Sequence, residues 1–203
     1  YLWAAREPQA AADYAAGRND PALLEAVACT WASKDPKNAV AWAFGLPEGQ
    51  KRNGAVANAV TVWAQQQPEV AAAYIGQLST VEARNQASLL VASAWSNADP
   101  KAAAKWVAQF PEGTVRELAL NQLISTWAGT DATVAGHWLQ TLAASRSRDV
   151  AVSAYCTVMN AKDPVVSFEW AKTIRDETIR TQTIETAAMT WQARNPVAPR
   201  AFK

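Results

Sequence analysis

Very little in this 203-residue chain can do chemistry. It carries one histidine and two cysteines. A catalytic triad or a histidine-rich metal site would have to use His137, and no nucleophile elbow accompanies it. Cys29 and Cys156 form neither a CxxC pair nor a metal-ligand spacing, and the expectation is two free, buried thiols. Walker, GxGxxG, HExxH and EF-hand patterns are all missing. No apolar run approaches the length that spans a bilayer, and the first residues, YLWAAREPQ, hold no basic-then-apolar leader. Charge of one sign is lacking too. Nineteen basic and 18 acidic side chains leave a net charge of +1, which gives no electrostatic pull toward nucleic acid or anionic lipid. Glycine is scarce at eight residues, and no stretch alternates β-branched with polar residues, so sheet is not expected.

What is present is alanine, tryptophan and a register. Residues 31–49, WASKDPKNAVAWAFGLPEG, return at 95–113 as WSNADPKAAAKWVAQFPEG. Trp31, Trp63, Trp95, Trp127 and Trp191 are spaced by multiples of 32, with Met159 in the vacant slot. A second aromatic column follows eleven residues later: Trp42, Tyr74, Trp106, Trp138 and Trp170. Pro36, Pro68, Pro100, Pro164 and Pro196 form a proline column with Ala132 as its gap, and Arg52, Arg84, Arg116, Arg148 and Arg180 form a fourth column. Four columns sharing one period mark a repeat architecture.

Each period accommodates two helices. Asp35-Pro36, Asp99-Pro100 and Asp163-Pro164 read as helix starts, because Asp can cap free N–H groups and proline tolerates the first turn. Asp131 fits the same capping role. From Pro36, the residues Ala39, Trp42, Ala43 and Leu46 fall on one helical face, and LPEG or FPEG ends that helix. A second, longer helix follows with Ala55, Val56, Ala59, Val60 and Trp63 as its inward stripe. The small residues Ala39, Ala71, Ala103, Ala135 and Ser167 would let neighbours approach closely. A lone hairpin cannot bury two aromatics, but stacked copies bury them against each other. Both aromatic columns are therefore expected in the core, with Trp42, Trp63, Trp95, Trp106 and Trp127 shielded at repeat interfaces.

Trp3, Pro8 and Tyr14 match the columns, but Trp3 precedes Trp31 by only 28 residues, which places a four-residue loss in the turn around AAGRND. At the other end Pro196 and Phe202 keep the register, with Pro199 in the first turn of what should be a helix. The expectation is a single array over 1–203 of about six hairpin repeats, cut from a longer protein, whose uncapped ends could self-associate.

The arginine column resists a simple account. It falls in the first turn of the longer helix, where the helix dipole disfavours a cation by about 0.3–1 kcal/mol. One reading is structural: each guanidinium bonds a carboxylate, a helix-end carbonyl or an aromatic face, with Glu82, Glu117 and Asp176 as nearby acids. The other is a ladder for anions. The balanced net charge favours structure. Glu48 and Glu112 sit in turns without convergent partners.

The junction DPKNAVAW at 35–42 resembles that of tetratricopeptide repeats, and the chain is also similar to Trp- and Ala-rich repeats of bacterial proteins. The resemblance implies an all-α, right-handed solenoid of stacked antiparallel hairpins whose concave surface binds peptides or proteins. The period departs from that family's, roughly 34 residues, and its peptide-binding residues have no counterparts here. The expected function is a non-catalytic interaction scaffold without cofactor or metal, with an unknown protein or peptide as partner. An architectural spacer or surface-layer element is the alternative. Nucleic-acid binding in the groove and enzymatic activity rank below both, and the compartment stays open.

Overall fold

The computed structural model describes residues 2–18 and 20–194. Pro196, Pro199 and Phe202, on which the register at the C-terminal end rests, lie outside the described residues. The described residues contain twelve helices and no strand: α1 Leu2–Arg6, α2 Pro8–Arg18, α3 Pro21–Ala32, α4 Pro36–Gly45, α5 Gln50–Gln66, α6 Pro68–Ile75, α7 Val81–Ala98, α8 Pro100–Val107, α9 Thr114–Thr141, α10 Arg146–Lys162, α11 Pro164–Ala171 and α12 Glu177–Arg194.

The chain divides into two compact units, Tyr1–Ala98 and Asp99–Lys203. In the first, the long helices α3, α5 and α7 lie side by side, and each short helix packs on the long helices that flank it in the chain. In the second, α10 packs on α9, α11 and α12. The small residues proposed for close approach are fully buried: Ala39, Ala71, Ala103, Ala135 and Ser167 all have 0 % exposure.

The entries to α4, α6, α8 and α11 and the Asp131 junction inside α9 share one backbone solution. Asp35, Gln67, Asp99, Asp131 and Asp163 all hold φ between −139° and −147°, with ψ between 69° and 95°. Two forces impose it. A following proline pushes its predecessor out of the α region. The aspartate carboxylate accepts an N–H of the first turn: Asn38 N on Asp35, Ala102 N on Asp99, Val134 N on Asp131, and Val165 and Val166 N on Asp163. Gln67 makes no such bond and relies on Pro68. Asp131 lacks the proline and relies on its cap, so within Thr114–Thr141 two helical segments meet at a kink and are counted together as α9.

The starts of the long helices are more varied. Gly49 and Gly113, the last residues of LPEG and FPEG, sit at φ 143° and 142°, where a side chain would be strained. Asp20, Thr80, Ser145 and Asp176 instead cap with their side chains. The four-residue loss in the first repeat is not confined to a turn. In register, the long helix loses its first three slots, and with an earlier end α3 has 12 residues where α5 has 17. Asp20 then occupies the slot that the arginine column fills in later repeats.

Candidate functional site

The two aromatic columns part company in depth. Trp31, Trp63, Trp95 and Trp127 are 3–6 % exposed, and Met159 in their gap is also buried. The outer column is not buried as expected. Trp42, Tyr74, Trp106, Trp138 and Trp170 are half-buried, as is Trp191, and Tyr14 is 45 % exposed. The cause is geometric. An outer ring lies against an inner one, with centroids 5.7 Å apart for Trp31–Trp42, 5.0 Å for Trp63–Tyr74 and 5.9 Å for Trp127–Trp138. The short helix thus covers the inner ring with its own aromatic, which stays part-exposed. Cations gather on two of these outer rings: Arg18 lies 4.8 Å from the Tyr14 centroid and Lys37 lies 6.0 Å from that of Tyr74.

The first unit also holds an apolar hollow of about 340 Å³, lined by Trp3, Tyr14, Leu23 and Val27 with Asp20 at its edge. Trp3 and Tyr14 meet edge-to-face at 5.4 Å across it.

The arginine side chains are partly shielded. Arg84, Arg116 and Arg180 each donate to the carbonyl six residues back, on Leu78, Phe110 and Ile174 respectively. Those carbonyls lie three residues beyond the ends of α6, α8 and α11, so each guanidinium ties down the connection entering its own helix. Arg52 uses Glu48 instead, at 3.0 Å, and Arg116 adds Glu112 at 3.0 Å. Glu48 and Glu112, the turn carboxylates, each pair with the arginine four residues on. Arg148 reaches the Thr173 carbonyl at 3.3 Å and lies 3.8 Å from Asp149. Two of the acids expected near the column work elsewhere: Glu117 and Asp176 flank Arg146, at 3.4 and 2.6 Å.

Several functional-looking side chains missed by the sequence reading are fasteners. Asp149 is 3 % exposed and accepts the backbone N–H groups of Arg175 and Asp176 at 3.1 and 2.9 Å. Lys162 donates to the Ala128 and Gly129 carbonyls at 2.7 and 2.8 Å, and Lys34, in the same slot, donates to the Ala5 carbonyl at 2.9 Å. Both lysines sit where the dipole at a helix C-terminus favours a cation. The slot's spacing was visible in the sequence, but two occurrences carry little periodic signal.

His137 is exposed. Among the described residues, no group of three His, Cys, Asp or Glu could hold a metal ion, and no helix is long and apolar enough to cross a membrane. Both cysteines are free; Cys156 is buried, while Cys29 is only partly so, which corrects the expectation of two buried thiols. The class defined by these observations is an all-helical protein of packed neighbouring helices. The chain matches no family model, no curated protein and no solved structure.

Proposed function

We propose that the chain is a non-catalytic interaction scaffold: a tetratricopeptide-like, right-handed solenoid whose short helices present a surface to a protein or peptide. The half-exposed outer aromatic column carries this reading. Aromatic edges recurring at a fixed interval offer contact area at low conformational-entropy cost. Around them, the slot of Ala41, Ala73, Lys105, His137 and Glu169 is exposed and varies in chemistry, as a recognition surface requires. The aspartates Asp35, Asp99, Asp131 and Asp163 serve as caps and Asp149 braces the Arg175–Asp176 backbone, roles that leave them no catalytic task in this reading. The arginine column belongs to this structural set in our reading, because its members bond backbone carbonyls and turn carboxylates.

A photocrosslinking amino acid at Ala41 or Ala73, both exposed on short helices, tests the proposal against the same probe at exposed Asn53 on α5. Expressed in its native cells, the protein should give one discrete adduct from the short-helix positions and none from Asn53. Equal labelling from all three, or from none, would instead favour an architectural spacer.

A further inference from the structure

We propose that the Asp131–Ala132 junction is a hinge, at which α9 passes between the observed bend and a straight, continuous 28-residue helix. The other junctions of this kind carry a proline, at Pro36, Pro68, Pro100 and Pro164. Proline bars its predecessor from the α region and supplies no N–H to continue the ladder, so those bends are fixed by covalent structure. Ala132 imposes neither restriction.

No covalent restraint holds this bend; side-chain bonds and the packing of Ala135 and Leu139, both 0 % exposed, do. Asp131 accepts the Val134 N–H at 3.0 Å, a bond that requires its non-helical backbone at φ −141° and ψ 85°. Lys162 takes the carbonyls of Ala128 and Gly129 at 2.7 and 2.8 Å. In a straight helix those two carbonyls would accept the N–H groups of Ala132 and Thr133, four residues on. The lysine therefore competes for the acceptors that straightening needs. Its counterpart, Lys34 on the Ala5 carbonyl, braces a turn already followed by Pro8, so only at Lys162 does the brace stand in for the ring. The third restraint is the Trp127–Trp138 contact at 5.9 Å. Along a straight helix, eleven residues span about 16 Å, so that contact exists only in the bent form. Bending buries Trp127, which makes the straight form the minor one.

The test uses spin labels at Leu118→Cys and Gln140→Cys, both exposed on α9, in a Cys29→Ser, Cys156→Ala background. Bent, the two sites lie side by side, roughly within 20 Å. Straight, 22 residues separate them by about 33 Å. The parent should show the short distance. Asp131→Ala with Lys162→Met should add a population near the long distance, and Ala132→Pro on top of both should remove it, which mere destabilisation would not do. Ala132→Pro alone should raise the melting temperature. Four outcomes would each overturn the hinge: absence of the long distance in the double variant, its survival when Ala132→Pro is added, a lower melting temperature for Ala132→Pro alone, or a loss of helicity that Ala132→Pro does not restore.

Discussion

The junction of α5 with α6 and that of α10 with α11 reach the same geometry by different residues. At the first, Trp63 is 3 % exposed and lies 5.0 Å from the half-buried Tyr74. At the second, the tryptophan slot holds Met159, and Tyr155, one turn earlier on the same face, takes over the ring contact, 5.0 Å from Trp170. Room for it comes from Gly136, where a Cβ would approach the Tyr155 hydroxyl to 3.1 Å and Trp170 Cζ2 to 3.3 Å. Burial, and then the charge of the Cys156 thiolate, push the Tyr155 phenol above its ordinary pKa of 10.0, so it stays neutral there. What recurs is an inner ring beneath an outer one. The position supplying the inner ring can move by a turn if a neighbour yields.

The largest effects should come from removing either inner ring. Trp63→Ala and Tyr155→Ala should each cost about 3–5 kcal/mol in urea denaturation, as for other large aromatic deletions. Met159→Trp, which restores the periodic residue, should destabilise by about 1–3 kcal/mol, because Tyr155 already fills the space. If Met159→Trp stabilises the protein, the two junctions are not alternative packings of one contact. Trp63 Nε1 has no hydrogen-bond partner in its buried site, so Trp63→Phe should recover most of what Trp63→Ala loses.

The arginine column gives a second, smaller contrast. Arg116 bonds both the Phe110 carbonyl and Glu112, while Arg52 pairs with Glu48, which is 91 % exposed. Arg116→Gln should lower stability by about 1–3 kcal/mol, as for a lost charged hydrogen bond. Arg52→Gln should cost less than about 1 kcal/mol, because its partner is solvated. Thermal melts that rank the two equally would show that the carbonyl clamp contributes nothing beyond the ion pair.

Acid should separate the turns as well. Polar groups of Ser147 and Ser145 near Glu112, together with the Arg116 guanidinium at 3.0 Å, hold its carboxyl below the ordinary value of 4.5 against the opposing effect of burial, while the buried Ser147 hydroxyl itself makes no hydrogen bond. A carboxylate whose folded pKa is depressed contributes its full stability above the unfolded value and loses it as pH falls through the folded one. The window therefore opens near 4.5 and extends below it. Denaturation midpoints followed downward through that window should fall less steeply for Glu112→Gln than for the parent; equal slopes would remove Glu112 from the acid response.

The helical architecture was legible in the sequence because each junction needs the same few contacts. Asp and Pro set the entry, small residues set the approach and the inner tryptophan fills the gap, so the period repeats them. Depth was not legible. A helical wheel gives direction but not depth: Trp42 lies against Trp31 at 5.7 Å and is still only half-buried. Compensated substitutions were hidden too, since Met159, Tyr155 and Gly136 lie in three different slots and make sense only together. The arginine partners escaped for another reason: a backbone carbonyl leaves no mark in the sequence. Nor could the proline gap at Ala132 be read as a bend held by Asp131 and Lys162 without their positions in space.

The smallest expected effect on stability, and the sharpest contrast in reactivity, is between the cysteines of the two units. Cys29 is partly buried, with its sulfur 3.9 Å from Asn58 Oδ1. Cys156 is sealed against α11: its thiol donates to the Ser167 carbonyl at 3.3 Å, and the Ser167 hydroxyl returns a bond to the Cys156 carbonyl at 3.1 Å. Burial pushes the Cys156 thiol up to about 12, the serine bond opposing only part of the shift. The thiolate is the species that reacts with alkylating agents, and at pH 8 only about one molecule in 10⁴ would carry it. Iodoacetamide under native conditions should therefore label Cys29 first and leave Cys156 untouched until the protein opens. In denaturant without reductant both should label, because neither is paired. Fast native labelling of Cys156 would mean that α10 and α11 separate readily, and the reciprocal Ser167 bond would then not be the seal that the structure shows.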